Sequence, residues 1–331
     1  MPLHDVHYQH WQGVHVGIWA RRWVIARNGL TACLQNKMLR TLVVMSWGAG
    51  LMMVVALFIV GQLLVADSMV VRWVEQLNPA LQAFAGLLTS WLQSHPEISV
   101  RTTQNVLFFY CCSLLTPVGI FALGVAMPTL ITRDLASSAI VIYSSKAVTR
   151  GDYLLGKFCT AFGLLVLTWL GPLCGAWFIG NLLAPDWRFF WHSRVAFGNV
   201  LIYGVASMAI LSALALGVSA ISSKEKSSSF LWLGWWVVGY VIQPIATNTK
   251  PWLRHFSFAY DLEQLRLATF RLGNDVKTAQ ENIPILGNML NGISHKTLET
   301  LNNPNTMGAI AALLLMLACA ALVVRTRVRP E

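Results

Sequence analysis

Six apolar runs constrain this chain more than anything else in it. They lie at about 42–65, 106–130, 158–184, 196–221, 230–246 and 307–324. Each is close to the roughly 20 residues that cross a bilayer as a helix. Backbone surrounded by hydrocarbon must satisfy its own hydrogen bonds, so runs of this kind fold as helices. The fifth run is short and Trp-rich (Trp232, Trp235, Trp236), and its ends are the least defined. Composition agrees. Of 331 residues 56% are hydrophobic and 11% charged, where a soluble domain carries about 25% charged residues. Too little polar surface is left to cover a globule in water. The expected fold is therefore an all-α membrane protein with six transmembrane helices. The first 41 residues are polar and basic, and the first run is too long for the apolar part of a signal peptide, so no cleavable leader is expected.

Charge gives the expected orientation. Fourteen of the 24 Lys and Arg fall on one side: Arg21, Arg22, Arg27, Lys37 and Arg40; Arg133, Lys146, Arg150 and Lys157; Lys224 and Lys226; Arg325, Arg327 and Arg329. Five acids accompany them, Asp5, Asp134, Asp152, Glu225 and Glu331. The positive-inside rule puts this side, with both termini, in the cytoplasm. The net charge of +10 then reads as orientation and contact with anionic lipid, not as nucleic-acid binding. Three parts follow: a cytoplasmic segment at 1–41, a six-span domain at 42–324 and a basic tail at 325–331. Residues 16–40 carry Trp19, Trp23, Leu30 and Leu34 among Arg21, Arg22, Arg27 and Lys37, which predicts a helix lying flat at the membrane surface. The outer loop 247–306 has a helical stripe of Phe258, Leu262, Leu265, Leu267 and Phe270, interrupted by Asp261, Glu263, Arg266 and Arg271. It predicts a small helical outer cap.

Several chemistries are disfavoured. Gly151 to Lys157 fits G-x-x-x-x-G-K, but Phe158 stands where a phosphate-binding loop needs Ser or Thr for magnesium. The chain is expected to hold no ATPase and no other catalytic motif. His4, His7, His10 and His15 are weak metal candidates on a terminal segment, without a cage of further ligands. The six cysteines lack the spacing of a disulfide framework or a zinc site. The runs themselves hold almost no charge. Ion-coupled carriers usually need intramembrane Asp, Glu, His or Arg, so an apolar or amphipathic cargo is expected.

The segment 131–157 is a charged island between the second and third runs. Ile140, Val141, Ile142 and Tyr143 form an apolar centre, with Arg133, Asp134, Lys146 and Arg150 around it. An apolar anchor with a charged rim suits docking of a protein partner. The pattern Arg133-Asp134, then Ser145-Lys146, Arg150, Asp152-Tyr153 and Gly156-Lys157, resembles the ABC-2 class of ABC-transporter permeases. So does the layout: a basic helix before the first span, six spans and a larger outer loop before the last. The resemblance implies a coupling helix between spans two and three. Its site would comprise Arg133, Asp134, Ile140, Val141, Ile142, Tyr143, Lys146, Arg150, Asp152, Tyr153, Gly156 and Lys157. It implies a separate cytoplasmic ATPase that binds ATP and Mg, a second permease subunit, identical or not, and residence in a bacterial inner membrane. An outer-face partner stays open. Two other readings also stand: an ion-coupled or passive transporter without an ATPase, and a membrane assembly subunit that transports nothing.

Overall fold

The computed structural model describes residues 17–65, 68–74, 76, 86, 89–90, 93–137, 149–184, 186–248, 250–275, 277, 301 and 303–328. Among these residues every regular element is helical. The order is α1 (Ile18–Gln35), α2 (Lys37–Leu63), α3 (Met69–Val74), α4 (Pro96–Ala136), α5 (Arg150–Leu182), α6 (Arg188–Ile221), α7 (Glu225–Asn248), a 3₁₀ turn (Pro251–Phe256), α8 (Phe258–Phe270) and α9 (Thr306–Arg327). Six of them, α2, α4, α5, α6, α7 and α9, are long and apolar enough to cross a membrane. They match the six apolar runs one for one. Most extend past the runs into flanking polar residues, because helix geometry tolerates Lys, Arg, Gln and Thr at its ends while a hydropathy window does not. At 1.5 Å per residue α4 is about 60 Å long, twice the thickness of bilayer hydrocarbon.

Successive candidate spans alternate in direction. Arg133, Arg150, Glu225 and Arg325 mark one end of the bundle, the basic end. Pro96, Leu182, Arg188, Asn248 and Thr306 mark the far end. α6 is the hub: 61% of its apolar window is buried, against 11% for α9. Small residues let α9 lie close to it. A Cβ on Gly217 of α6 would stand 2.5 Å from the Cβ of Ala320, so only glycine allows this approach.

Two π-helical turns interrupt the long helices, Pro128–Thr132 in α4 and Val166–Leu170 in α5. Each adjoins a proline, Pro128 or Pro172. Proline lacks an N–H and its ring displaces the preceding turn's carbonyl, which a widened turn accommodates. At the first, the N–H groups of Ile131 and Thr132 donate to Ser219 Oγ of α6 at 3.0 and 3.2 Å. In an apolar interior those donors need such a partner.

The N-terminal segment departs from the expected single flat helix. Asn36 is extended (φ −71, ψ 121), and its side chain accepts from Met38 N at 2.9 Å, ending α1 and starting α2. α1 runs lengthwise beside the start of α5 in the same direction: Ile25 packs on Gly156 and Gly29 on Thr160. α2 continues along the rest of α5, with Gly50 on Pro172 and Leu57 on Gly180. Ala26 and Cys33 of α1 are buried, while Trp19 and Trp23 remain exposed. The apolar residues of 16–40 therefore serve two faces, one against α5 and one facing outward.

Of the expected outer cap at 247–306, residues 250–275 lie elsewhere, and 278–300 are outside the described residues. After α7 the chain turns back alongside it. Trp235 Nε1 donates to Phe256 O at 3.0 Å, Gln243 Nε2 donates to Ser257 Oγ at 3.1 Å, and Phe258 stacks on Trp232 at 5.2 Å. Trp232 precedes Asn248 by 16 residues, about 24 Å along a helix. α8 thus begins deep between the long helices, packed against α9, α6 and α7, and climbs back out. Phe270 at its far end meets Phe109 at 5.8 Å and Tyr203 at 6.2 Å. Its stripe of Phe258, Leu262, Leu267 and Phe270 is buried in the bundle itself. An apolar stripe must be covered, and the long helices supply the cover a thin outer layer would lack.

Candidate functional site

The basic end gathers the described residues of segment 131–157 into one network. Thr149 caps α5: Asp152 N donates to its Oγ1 at 3.2 Å, while Thr149 Oγ1 donates to Asp152 Oδ2 at 2.6 Å and its N–H to the same oxygen at 3.3 Å. This reciprocal capping box holds the first turn. Arg22 of α1 donates from Nε to the other oxygen, Asp152 Oδ1, at 2.6 Å. One turn on, Lys157 Nζ lies 2.8 Å from Asp134 Oδ2 and donates to Thr129 O at 3.0 Å. Tyr153 OH donates to the same Asp134 oxygen at 2.6 Å. Asp152, Tyr153, Gly156 and Lys157 are all buried. The side chains of Asp152, Tyr153 and Lys157 therefore brace the segment from within.

Two further bonds extend the network. Arg133 pairs with Glu225 at the start of α7 through Nε at 2.8 Å and Nη2 at 3.3 Å, with both side chains about half exposed. Arg150 donates from Nη2 to Val324 O and Arg325 O, at 2.8 and 2.7 Å, where α9 ends. Val324 O also accepts from Val328 N at 3.0 Å, and a cation at the C-terminal carbonyls complements the helix end. Ile140, Val141, Ile142, Tyr143 and Lys146 lie outside the described residues, as do His4, His7, His10 and His15.

The partners Arg22, Thr149, Thr129, Ser219 and Glu225 are not among the residues expected for the coupling site. One was readable: Thr149-Arg-Gly-Asp152 is a capping-box pattern ahead of an apolar run. The others need the tertiary fold, because Arg22 and Asp152 are 130 residues apart.

A second polar region lies deep in the bundle, on α8. His255 Nδ1 is 2.6 Å from Asp261 Oδ1, and Asn305 Nδ2 is 3.2 Å from His255 Nε2. Gly308 N donates to Asn305 Oδ1 at 3.2 Å, which fixes the amide orientation. His255 Nε2 is then the acceptor and Nδ1 the donor to Asp261. Gln264 Oε1 accepts from Asn305 N at 2.9 Å. Arg266 is 4% exposed and lies 4.2 Å over the Phe109 ring, with Glu263 Oε1 2.7 Å from its Nη2. Nearer the far end Asn105 Nδ2 donates to Phe270 O at 2.7 Å and to Asp275 Oδ2, and Asn199 donates to Asn105 Oδ1 at 3.1 Å. Burial pushes the Asp261 carboxyl up to about 7, against the lowering effect of His255. It raises Asp275 as well, against the Asn105 hydrogen bond.

The nearly charge-free spans therefore do not make a charge-free interior. The re-entrant segment carries Asp261 and Arg266 into it. The signal was in the sequence: Leu262 and Arg266 stand four and eight residues after Phe258, on the same helical face.

The cysteines are free: Cys33 and Cys112 are buried, while Cys159 and Cys319 are exposed. Cys33 Sγ lies 3.0 Å from Thr129 Oγ1, joining α1 to the π-helical turn of α4. Comparison with models of known protein families and with curated proteins returns no match.

Proposed function

We propose that this chain is the membrane-embedded permease subunit of an ATP-driven transporter of the ABC-2 type. Its basic end would face the cytoplasm of a bacterial inner membrane. One observation carries the reading. The described residues that flank 138–148 are bonded to α1, α5, α6, α7 and α9. On the N-terminal side, Ile131 and Thr132 bond to α6, Arg133 to α7 and Asp134 to α5. On the C-terminal side, Asp152 bonds to α1 and Arg150 to the end of α9. A segment anchored this way can pass a push from outside the membrane to the whole bundle, which a slack connecting loop cannot. In this reading 140–143 meet the ATPase, and Asp134, Asp152, Tyr153 and Lys157 are positioning residues behind them. ATP and Mg belong to the partner, and this chain catalyses no reaction. The exposed Trp19 and Trp23 face of α1 rests at the cytoplasmic membrane surface. A second permease subunit completes the transporter. The cargo is amphipathic, since the interior offers Arg266 and Asp261 as well as apolar walls.

The test is purification of the full chain from its native membranes with mass spectrometry of what accompanies it. The expected companion is a protein with G-x-x-x-x-G-K-(S/T). Replacing 140–143 with Ser should remove it and abolish ATP turnover in liposomes, while the bundle still folds. Tyr143→Ala alone should weaken binding by about 2 kcal/mol. Full retention and unchanged turnover would sink the reading. A second reading, an ion-coupled transporter without an ATPase, is favoured by the buried His255–Asp261 pair. It predicts uptake driven by a pH gradient in liposomes without ATP, abolished by Asp261→Asn.

A further inference from the structure

At the basic end, α5, α6 and α9 enclose a slot of about 510 Å³. Its floor is apolar, with Leu154 and Phe158 of α5, Leu216 of α6 and Leu317 of α9. Its mouth holds Arg150, Gly151 and Arg325. Three cations inside the network of this end differ from these two arginines. Arg22, Arg133 and Lys157 each face a carboxylate. Among the described residues neither Arg150 nor Arg325 has one. Arg150 is nevertheless held in place, because its Nη2 is fixed by Val324 O and Arg325 O. Its Nε and Nη1 donors are bonded to no described residue. Beside it, in the first turn of α5, the Asp152 N–H is taken by Thr149 Oγ1, while the Gly151 side of the turn is open. Gly151 is exposed, and a Cβ there would meet only Thr149 Oγ1, at 3.9 Å. First-turn N–H groups and the helix dipole favour an anion.

We propose that this slot binds an anionic phospholipid, its phosphate held by Arg150, Arg325 and the first turn of α5 and an acyl chain laid on Leu154, Phe158 and Leu317. Two observations meet here: cations without counter-charges at the mouth, and an apolar channel leading away from them. A soluble anion would use only the first and a neutral lipid only the second. Basic pockets between membrane helices on the cytoplasmic side suit anionic headgroups for this reason. The G-x-x-x-x-G-K match gains a different meaning. Lys157 is buried on Asp134, while the Gly151 end is open to a phosphate. The lipid would also bridge α5 to the end of α9, reinforcing the Arg150 bond. The proposal rests on the chain being in a membrane and is independent of the ATPase reading.

The test is native mass spectrometry of the detergent-solubilised full chain with equal phosphatidylglycerol and phosphatidylcholine of the same acyl composition. Wild type should retain phosphatidylglycerol with a preference of roughly tenfold or more, the size two basic groups supply. Arg325→Gln, whose side chain bonds to no described residue, should cut that preference several-fold. Ala321→Trp, which fills the slot without changing charge, should remove retention. Arg40→Gln, an equal charge change at an exposed position outside the slot, should leave it intact. Equal retention of both lipids would overturn the proposal. So would an unchanged preference in Arg325→Gln and Ala321→Trp, or an equal loss in Arg40→Gln. Displacement of the lipid by glycerol phosphate alone would overturn the acyl-chain half.

Discussion

The two polar regions obey different rules. At the basic end the carboxylates inside the network are matched: Asp152 with Arg22, Asp134 with Lys157 and Tyr153, Glu225 with Arg133. Around α8 the polar groups are more deeply buried and less completely satisfied. Asp261 Oδ2, Arg254 Nε, Arg266 Nε and both amide atoms of Gln104 have no hydrogen-bond partner among the described residues. Matched charges at a helix boundary hold a geometry. Under-satisfied polar groups in a closed interior cost free energy and are retained where something other than stability depends on them. Under the proposed function the first region would serve mechanics and the second recognition or protonation.

The largest expected effect tests whether the basic end is a rigid clamp. Lys157→Met leaves Asp134 facing only Tyr153 in a site where both charged side chains are at most 15% exposed. Removing one partner of a buried pair costs about 3–5 kcal/mol. Thermal unfolding in detergent should show it, and adding Asp134→Asn should restore much of the loss. A variant as stable as wild type would show that the pair holds nothing in place.

The next effect belongs to the deep region and is a pH dependence. The folded Asp261 carboxyl sits at about 7, above its ordinary value, so the folded state binds its proton more tightly than the unfolded chain does. That contribution is fully present below the ordinary carboxylate range and is lost as pH rises through about 7. His255, hydrogen-bonded to Asp261, tempers it. Stability should fall by about 2 kcal/mol between pH 5 and pH 8, and Asp261→Asn should flatten the profile over that window. A wild-type profile already flat there would place Asp261 among the matched charges and erase the contrast.

The smallest effect sharpens the basic end. Arg133→Gln breaks a pair whose side chains are about half exposed, which is worth roughly 0–1 kcal/mol. Stability should barely move. If the pair transmits motion to α7, ATP turnover with the partner present should fall more than stability does. Equal and negligible changes in both would remove α7 from the clamp.

The candidate site was legible in part. Arg133, Asp134, Arg150, Asp152, Tyr153, Gly156 and Lys157 stand out in sequence, and the fold brings them together. Their orientation was not readable. Asp152, Tyr153 and Lys157 turn inward because Arg22, Asp134 and Thr129 meet them across 130, 19 and 28 residues of sequence. No local pattern encodes such pairings.

By itself the sequence determined the number, order and approximate extent of the six long helices. Bilayer thickness and backbone hydrogen bonding act on each segment separately, so a local apolar run suffices. It also determined α8 as a helix, through the stripe from Phe258 to Phe270. Only the tertiary structure decided where α8 and α1 go. Each is too short or too polar to cross alone, and its place depends on which neighbours cover its apolar face. For α8 the cover comes from α4, α6, α7 and α9, and Asp261 and Arg266 are carried inside with it. For α1 it comes from α5, where Gly156 leaves room for Ile25. Local rules act within a segment, whereas the cover of an amphipathic face is a property of the whole bundle.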